Sequence, residues 1–83
     1  MEDSAEVYKR VSEIIKEVLR IEESSIKPDS RIKEDLNADS LDTVSLLMAL
    51  EEEFGESIDD QEAAKLTTPQ TIAQYIESRM KLS

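Results

Sequence analysis

DSLDTVSLLMALEEEFG, residues 39–55, reads as one complete helix with both ends marked. Asp39 or Ser40 opens it: Asp39 is a good N-cap, and Asp42 in the first turn suits the positive end of the helix dipole. The helix ends at Phe54, with Gly55 available as a left-handed cap. At about 100° per residue from Leu41, the apolar side chains fall into two groups. Leu46, Leu47, Leu50 and Phe54 gather between about 140° and 240°, the natural core face. Leu41, Val44 and Met48 gather between about 300° and 360°, beside Ser45, Glu51 and Glu52. The second group is surplus to a small core. Either both groups are buried because this helix sits centrally, or the second stays partly exposed as a docking strip rimmed by carboxylates. An apolar centre with a polar rim is the usual anatomy of a transient protein interface. Met suits a surface that accommodates several partners. Each such side chain contributes roughly 1.5–3 kcal/mol when fully buried, so three support a weak contact that the carboxylates steer.

Outward from this helix, the periodicity predicts three more. The first runs from about Ser4 to Glu22, with Val7, Val11, Ile14, Ile15, Val18, Leu19 and Ile21 in one stripe. Lys9, Glu13, Lys16, Glu17 and Arg20 take the other side, so this helix buries one face and is scaffold. A loop from Glu23 to Ala38 follows, with Pro28 and several Ser and Asp. Loops of such length need anchors, here Ile26, Ile32 and Leu36. Beyond Gly55 come a short acidic helix, about Asp59 to Lys65, and a last helix opened by Thr68 as cap and Pro69 at the first position. Ile72, Tyr75, Ile76 and Met80 form its inner stripe. The expected fold is all-α, a small four-helix bundle of three longer helices and one short one. Residues 1–83 form a single domain.

Charge is concentrated around the central helix. Between Glu34 and Glu62 stand eleven acidic residues and no Lys or Arg, whereas the rest carries ten basic and nine acidic residues. Such a surface repels nucleic acid and anionic lipid and attracts proteins with basic patches. No Cys excludes a disulfide framework, and no His removes the usual general base and the commonest metal ligand. No apolar run is long enough to span a bilayer, and Met1-Glu2-Asp3 is unlike a basic signal-peptide start, so the cytoplasm is the expected location. Like-charge crowding leaves the domain modestly stable at neutral pH and low ionic strength. The melting temperature is expected to rise between about 0.01 and 0.15 M salt, where screening tightens. An unchanged value by scanning calorimetry would contradict this.

Ser40 admits several readings. It can be an ordinary first-turn serine. As a nucleophile it lacks a base, because the chain has no His and no Lys lies between Glu34 and Ala64, so catalysis by this chain alone is rejected. As an acceptor of covalent modification by another enzyme, it would place a phosphate ester at a helix N-terminus, where backbone N–H groups favour anions. Asp39 and Asp42 oppose that charge, so the covalent bond must hold the group. Asp35, Asn37 and Asp39 also fit positions 1, 3 and 5 of a calcium loop. Position 6 is Ser40 where Gly is needed, and position 12 is Leu46 where a bidentate Glu is needed. No metal site is expected.

The run from Asp35-Leu36-Asn37-Ala38-Asp39-Ser40-Leu41-Asp42-Thr43-Val44 to Met48-Ala49-Leu50-Glu51-Glu52-Glu53-Phe54 resembles the acyl carrier proteins of dissociated (type II) fatty acid synthesis. Ile58, Ala63, Leu66-Thr67-Thr68 and Tyr75-Ile76 extend the resemblance over essentially the whole chain. It implies that Ser40 receives 4′-phosphopantetheine from coenzyme A through a separate holo-acyl-carrier-protein synthase. Acyl groups then ride on the arm's thiol as thioesters, which supplies thiol chemistry to a chain without Cys. It further implies that Asp39, Leu41, Asp42, Val44, Met48, Glu51 and Glu52 meet basic patches on fatty-acid-synthesis enzymes. Leu46, Leu47, Leu50, Phe54, Ile58, Ala63, Leu66 and Tyr75 are the corresponding candidates for lining an acyl-chain site between the helices. The implied molecule is a monomer, not itself an enzyme, that binds no nucleic acid and does not insert stably into membranes.

Several positions depart from the family pattern. Asn37 stands where Gly is typical, Ser45 where an acidic residue is common, and Asp59 where Pro often opens the short helix; Pro69 and the Lys81-Leu82-Ser83 tail are local differences. Ser45 leaves the choice of synthase or acyltransferase open. A carrier serving a polyketide, lipid A or D-alanylation pathway is the nearest rival, which the acidity around Ser40 disfavours modestly. An unmodified acidic adaptor is the rival of another class.

Overall fold

A computed structural model describes residues 4–82, with the side chains of residues 6–79. Helix α1 (Ser4–Leu19) leads through a single 3-10 turn (Glu23–Ser25) and a long loop into α2 (Ser40–Phe54). A short α3 (Asp60–Ala63) and α4 (Pro69–Leu82) complete an all-α fold with no strand among the described residues. No helix of the described residues is long and apolar enough to cross a membrane.

Helix α1 is the hub, packing against both α4 and α2. Its Val7, Val11 and Ile15, at spacing i, i+4, i+8, are completely buried and meet Leu46 and Leu50 of α2 and Ile72, Ala73 and Ile76 of α4 in one core. The long loop closes the open side. Ile26, Ile32 and Leu36 are buried as its anchors, and Ala38 joins them. Tyr75 is half-buried beside this core. The Met80 side chain and the end of the tail lie outside the described residues.

Helix α1 stops at Leu19, three residues before the expected Glu22. Arg20 turns left-handed at φ 57°, and the Ile21 N–H reaches back to the Lys16 carbonyl at 3.3 Å. That six-to-one bond is the Schellman ending, in which an apolar residue past the cap folds back on the helix. Ile21 therefore keeps the apolar periodicity after the helix itself has ended. Helix α3 is likewise shorter than expected. Asp59 is its N-cap, accepting the Glu62 N–H at 2.8 Å, and turns replace the helix after Ala63. Thr68 caps α4, its Oγ1 accepting the Thr71 N–H at 3.2 Å.

Candidate functional site

Asp39, with extended backbone, caps α2 and Ser40 is the first helical residue. The Asp39 carboxylate accepts the Asp42 N–H at 2.8 Å, and the Asp42 carboxylate accepts the Asp39 N–H at 3.3 Å. This reciprocal box satisfies donors that the helix start would otherwise leave open. Both carboxylates are thereby turned to backbone, and the exposed Ser40 takes no part in the cap. Asn37 holds φ 60° in the preceding turn. Asn supports this conformation better than most side chains, so the turn forms without Gly.

The two apolar faces of α2 part company. Leu46 and Leu50 are buried, whereas Leu41 is 75%, Val44 52% and Met48 59% exposed. Burial of both faces is thus excluded. Because α1 is the neighbour that packs along α2, the strip at Leu41, Val44 and Met48 has no helix to cover it. Of the side chains around it, Asp39, Ser45 and Glu52 are exposed, while Asp42 and Glu51 are half-buried. Glu51 is turned away from solvent because its Oε2 accepts the Ile58 N–H at 2.8 Å.

An apolar cavity of about 240 Å³ lies on the adjoining side of α2. Thr43, Leu46 and Leu47 form one wall, Ala63, Ala64, Leu66 and Thr67 the opposite one. Ile32 and Ile72 bound it from the loop and α4, with Lys33 and Glu34 also at its edge. The Thr43 hydroxyl is satisfied by the Asp39 carbonyl at 2.9 Å and asks nothing polar of the cavity. Ser40, Thr43 and Leu47 lie on one helix face by their i, i+3, i+7 spacing, spanning about 10 Å of axis. Of the expected lining residues, Leu46, Leu47, Ala63 and Leu66 meet here. Leu50, Phe54, Ile58 and Tyr75 do not line this cavity: Leu50 is in the core, and the other three pack against it. Ile32, Thr43 and Ile72 escaped the sequence reading as lining. Only the i+3 spacing of Thr43 from Ser40 offered a signal.

Folding brings cations to the acidic window from outside it. Arg10 of α1 pairs with Glu53 of α2, and Arg79 of α4 with Glu56 at 3.3 Å. Arg31 faces Glu34 at 3.3 Å and Asp35 at 3.4 Å. These pairs are exposed and individually weak. They leave the charge densest along α2 and α3. The Arg31 backbone N–H, with its guanidinium, holds the Asp35 carboxyl below the usual carboxylate range, and Asp35 and Glu34 raise the Arg31 guanidinium. A carboxyl lowered on folding stabilises above its unfolded pKa of about 3.9, and that contribution fades as pH falls through the folded value. Relief of repulsion acts in the opposite sense as carboxylates begin to protonate. The melting temperature is expected to rise from pH 7 toward about 5 and fall below about 4. Calorimetry showing a steady rise to pH 3 would contradict this.

Comparison with known families identifies the family of the chain. The family model for a phosphopantetheine attachment site matches residues 9–76, most of the chain, including all of α2 and the cavity walls. The chain belongs to that family. Members of the phosphopantetheine-attachment family are carriers: they hold 4′-phosphopantetheine covalently and bear acyl groups on it. The carrier domain is not itself catalytic. The residues present fit such a group, because Ser40 is exposed and free of any capping duty.

Proposed function

We propose that this chain is the acyl carrier of dissociated fatty acid synthesis, a single domain modified at Ser40 and working as a monomer in the cytoplasm. One observation carries the reading. Ser40 opens α2 at the junction of an exposed apolar strip and the face that walls an apolar cavity. When bound, the arm supplies a thiol that bears the acyl group as a thioester. Asp39 and Asp42 hold the helix start so that the Ser40 hydroxyl stands outside it. Leu41, Val44 and Met48 offer partner enzymes an apolar contact, and the carboxylates steer basic patches toward it. Leu46, Leu47, Ala63 and Leu66 give an aliphatic chain a place out of water. That apolar lining, together with the acidity around Ser40, favours fatty acyl cargo over polyketide or peptidyl cargo.

The test is intact mass before and after incubation with coenzyme A, magnesium and a broad-specificity holo-synthase. A single phosphopantetheinyl increment is expected. None on the folded chain would sink the reading and leave an acidic adaptor.

Docking is tested at Glu52, since Glu51 is engaged with the Ile58 backbone. Glu52→Lys is expected to weaken holo-synthase binding about three- to tenfold at low salt, and less at about 0.5 M. Unchanged titration isotherms at low salt would count against the docking strip.

A further inference from the structure

We propose that Glu51 is a latch fixing the position of α3, and that a cationic side chain of a docking partner releases it; the second half rests on the docking reading above. Glu51 stands one turn beyond Met48 on α2, at the rim of the exposed strip. Its carboxylate nevertheless turns to the loop and accepts the Ile58 N–H at 2.8 Å. Ile58 packs against the core immediately before Asp59 caps α3.

From Asp59 to Leu66, the hydrogen bonds among the described residues stay within the segment, save that the Lys65 carbonyl accepts the neighbouring Thr67 N–H at 3.1 Å. Ala63 donates to Asp59, Ala64 to Asp60, Lys65 to Glu62 and Leu66 to Ala63, and Glu62 donates to the Asp59 carboxylate. The chain is tied down again at Thr67, whose carbonyl accepts the Ile32 N–H at 2.9 Å. The segment from α3 to Leu66 is therefore a span between two tethers, and it brings Ala63, Ala64 and Leu66 to the cavity wall. A span with few outside bonds is where local opening is easiest.

The tethers differ in kind. The Thr67–Ile32 bond joins two backbones. The Ile58 tether ends on a carboxylate beside Met48 and Glu52, where a partner's guanidinium or ammonium would arrive. A guanidinium that takes both Glu51 carboxylate oxygens in a bidentate pair outcompetes the single backbone N–H on Oε2, and so draws the carboxylate off Ile58. Ile58 then turns its N–H to water, and the α3 wall loosens with it. One side chain thus transmits an event on the docking face of α2 to the width of the cavity.

Amide hydrogen exchange by NMR, with Ser40→Ala in every chain to prevent turnover, tests both halves. Glu51→Ala is expected to speed exchange about tenfold from Ile58 to Leu66, with α1 and α4 unchanged. Glu51→Gln keeps an accepting oxygen and is expected to stay near the Glu51 chain. Unchanged rates in Glu51→Ala, or a rise spread equally over α1 and α4, would overturn the latch. Added holo-synthase is expected to speed the same amides when Glu51 is present and to add nothing in Glu51→Ala. Unchanged or slowed amides in the bound Glu51 chain would overturn the coupling. Failure of every chain to bind synthase overturns the docking reading and the coupling with it, while the free chains still decide the latch.

Discussion

Ser40→Ala is expected to take up no phosphopantetheinyl group from coenzyme A and to melt as the unsubstituted chain does. Both halves follow from the start of α2. The hydroxyl is the proposed point of attachment, so its removal leaves nothing to esterify and uptake falls to zero. Helix initiation rests on Asp39, whose carboxylate accepts the Asp42 N–H while Asp42 returns the bond. Ser40 is exposed at the first helical position, where Ala is at least as good a helix former. Stability should therefore stay within about 0.5 kcal/mol. Intact mass and calorimetry read the two halves separately. Undiminished uptake would move the attachment site elsewhere.

Leu50→Ala is expected to cost about 2–5 kcal/mol, against less than about 0.5 for Leu41→Ala. Both replace the same side chain on one helix. Leu50 is 1% exposed in the core, whereas Leu41 is 75% exposed. Removing Leu50 loses its transfer free energy and leaves a cavity, and at about 4–8 °C per kcal/mol the melting temperature drops by about 8–40 °C. A domain of this size has roughly 4–12 kcal/mol in hand, so the variant sits near the edge of folding. Leu41→Ala should instead weaken synthase binding with the melt unchanged. Equal losses of stability from the two substitutions would mean that both faces of α2 are buried.

Much of this was legible before the structure. The caps at Asp39 and Thr68, the left-handed Gly55 and the loop anchors Ile26, Ile32 and Leu36 all stand where the residue types placed them. Local chemistry misled at Arg20, because a left-handed turn at Arg carries no signal comparable to Gly. Around the site, α2 announced itself fully, but its far partners did not. Nothing near Glu51 in sequence shows that its carboxylate holds Ile58, or that Arg10 reaches Glu53.

The chain by itself determined where helices begin and end, because capping, dipole and apolar periodicity act within about four residues. It also set the excess of apolar surface on α2. Only the tertiary structure decided which part of that surface stays uncovered. With α1 as the hub, α2 has a helix to bury Leu46 and Leu50 and none to bury Leu41, Val44 and Met48. The same packing left the cavity between α2 and the α3 segment. Burial depends on elements that meet from dozens of residues away, and no local pattern encodes which of two apolar faces will find a neighbour.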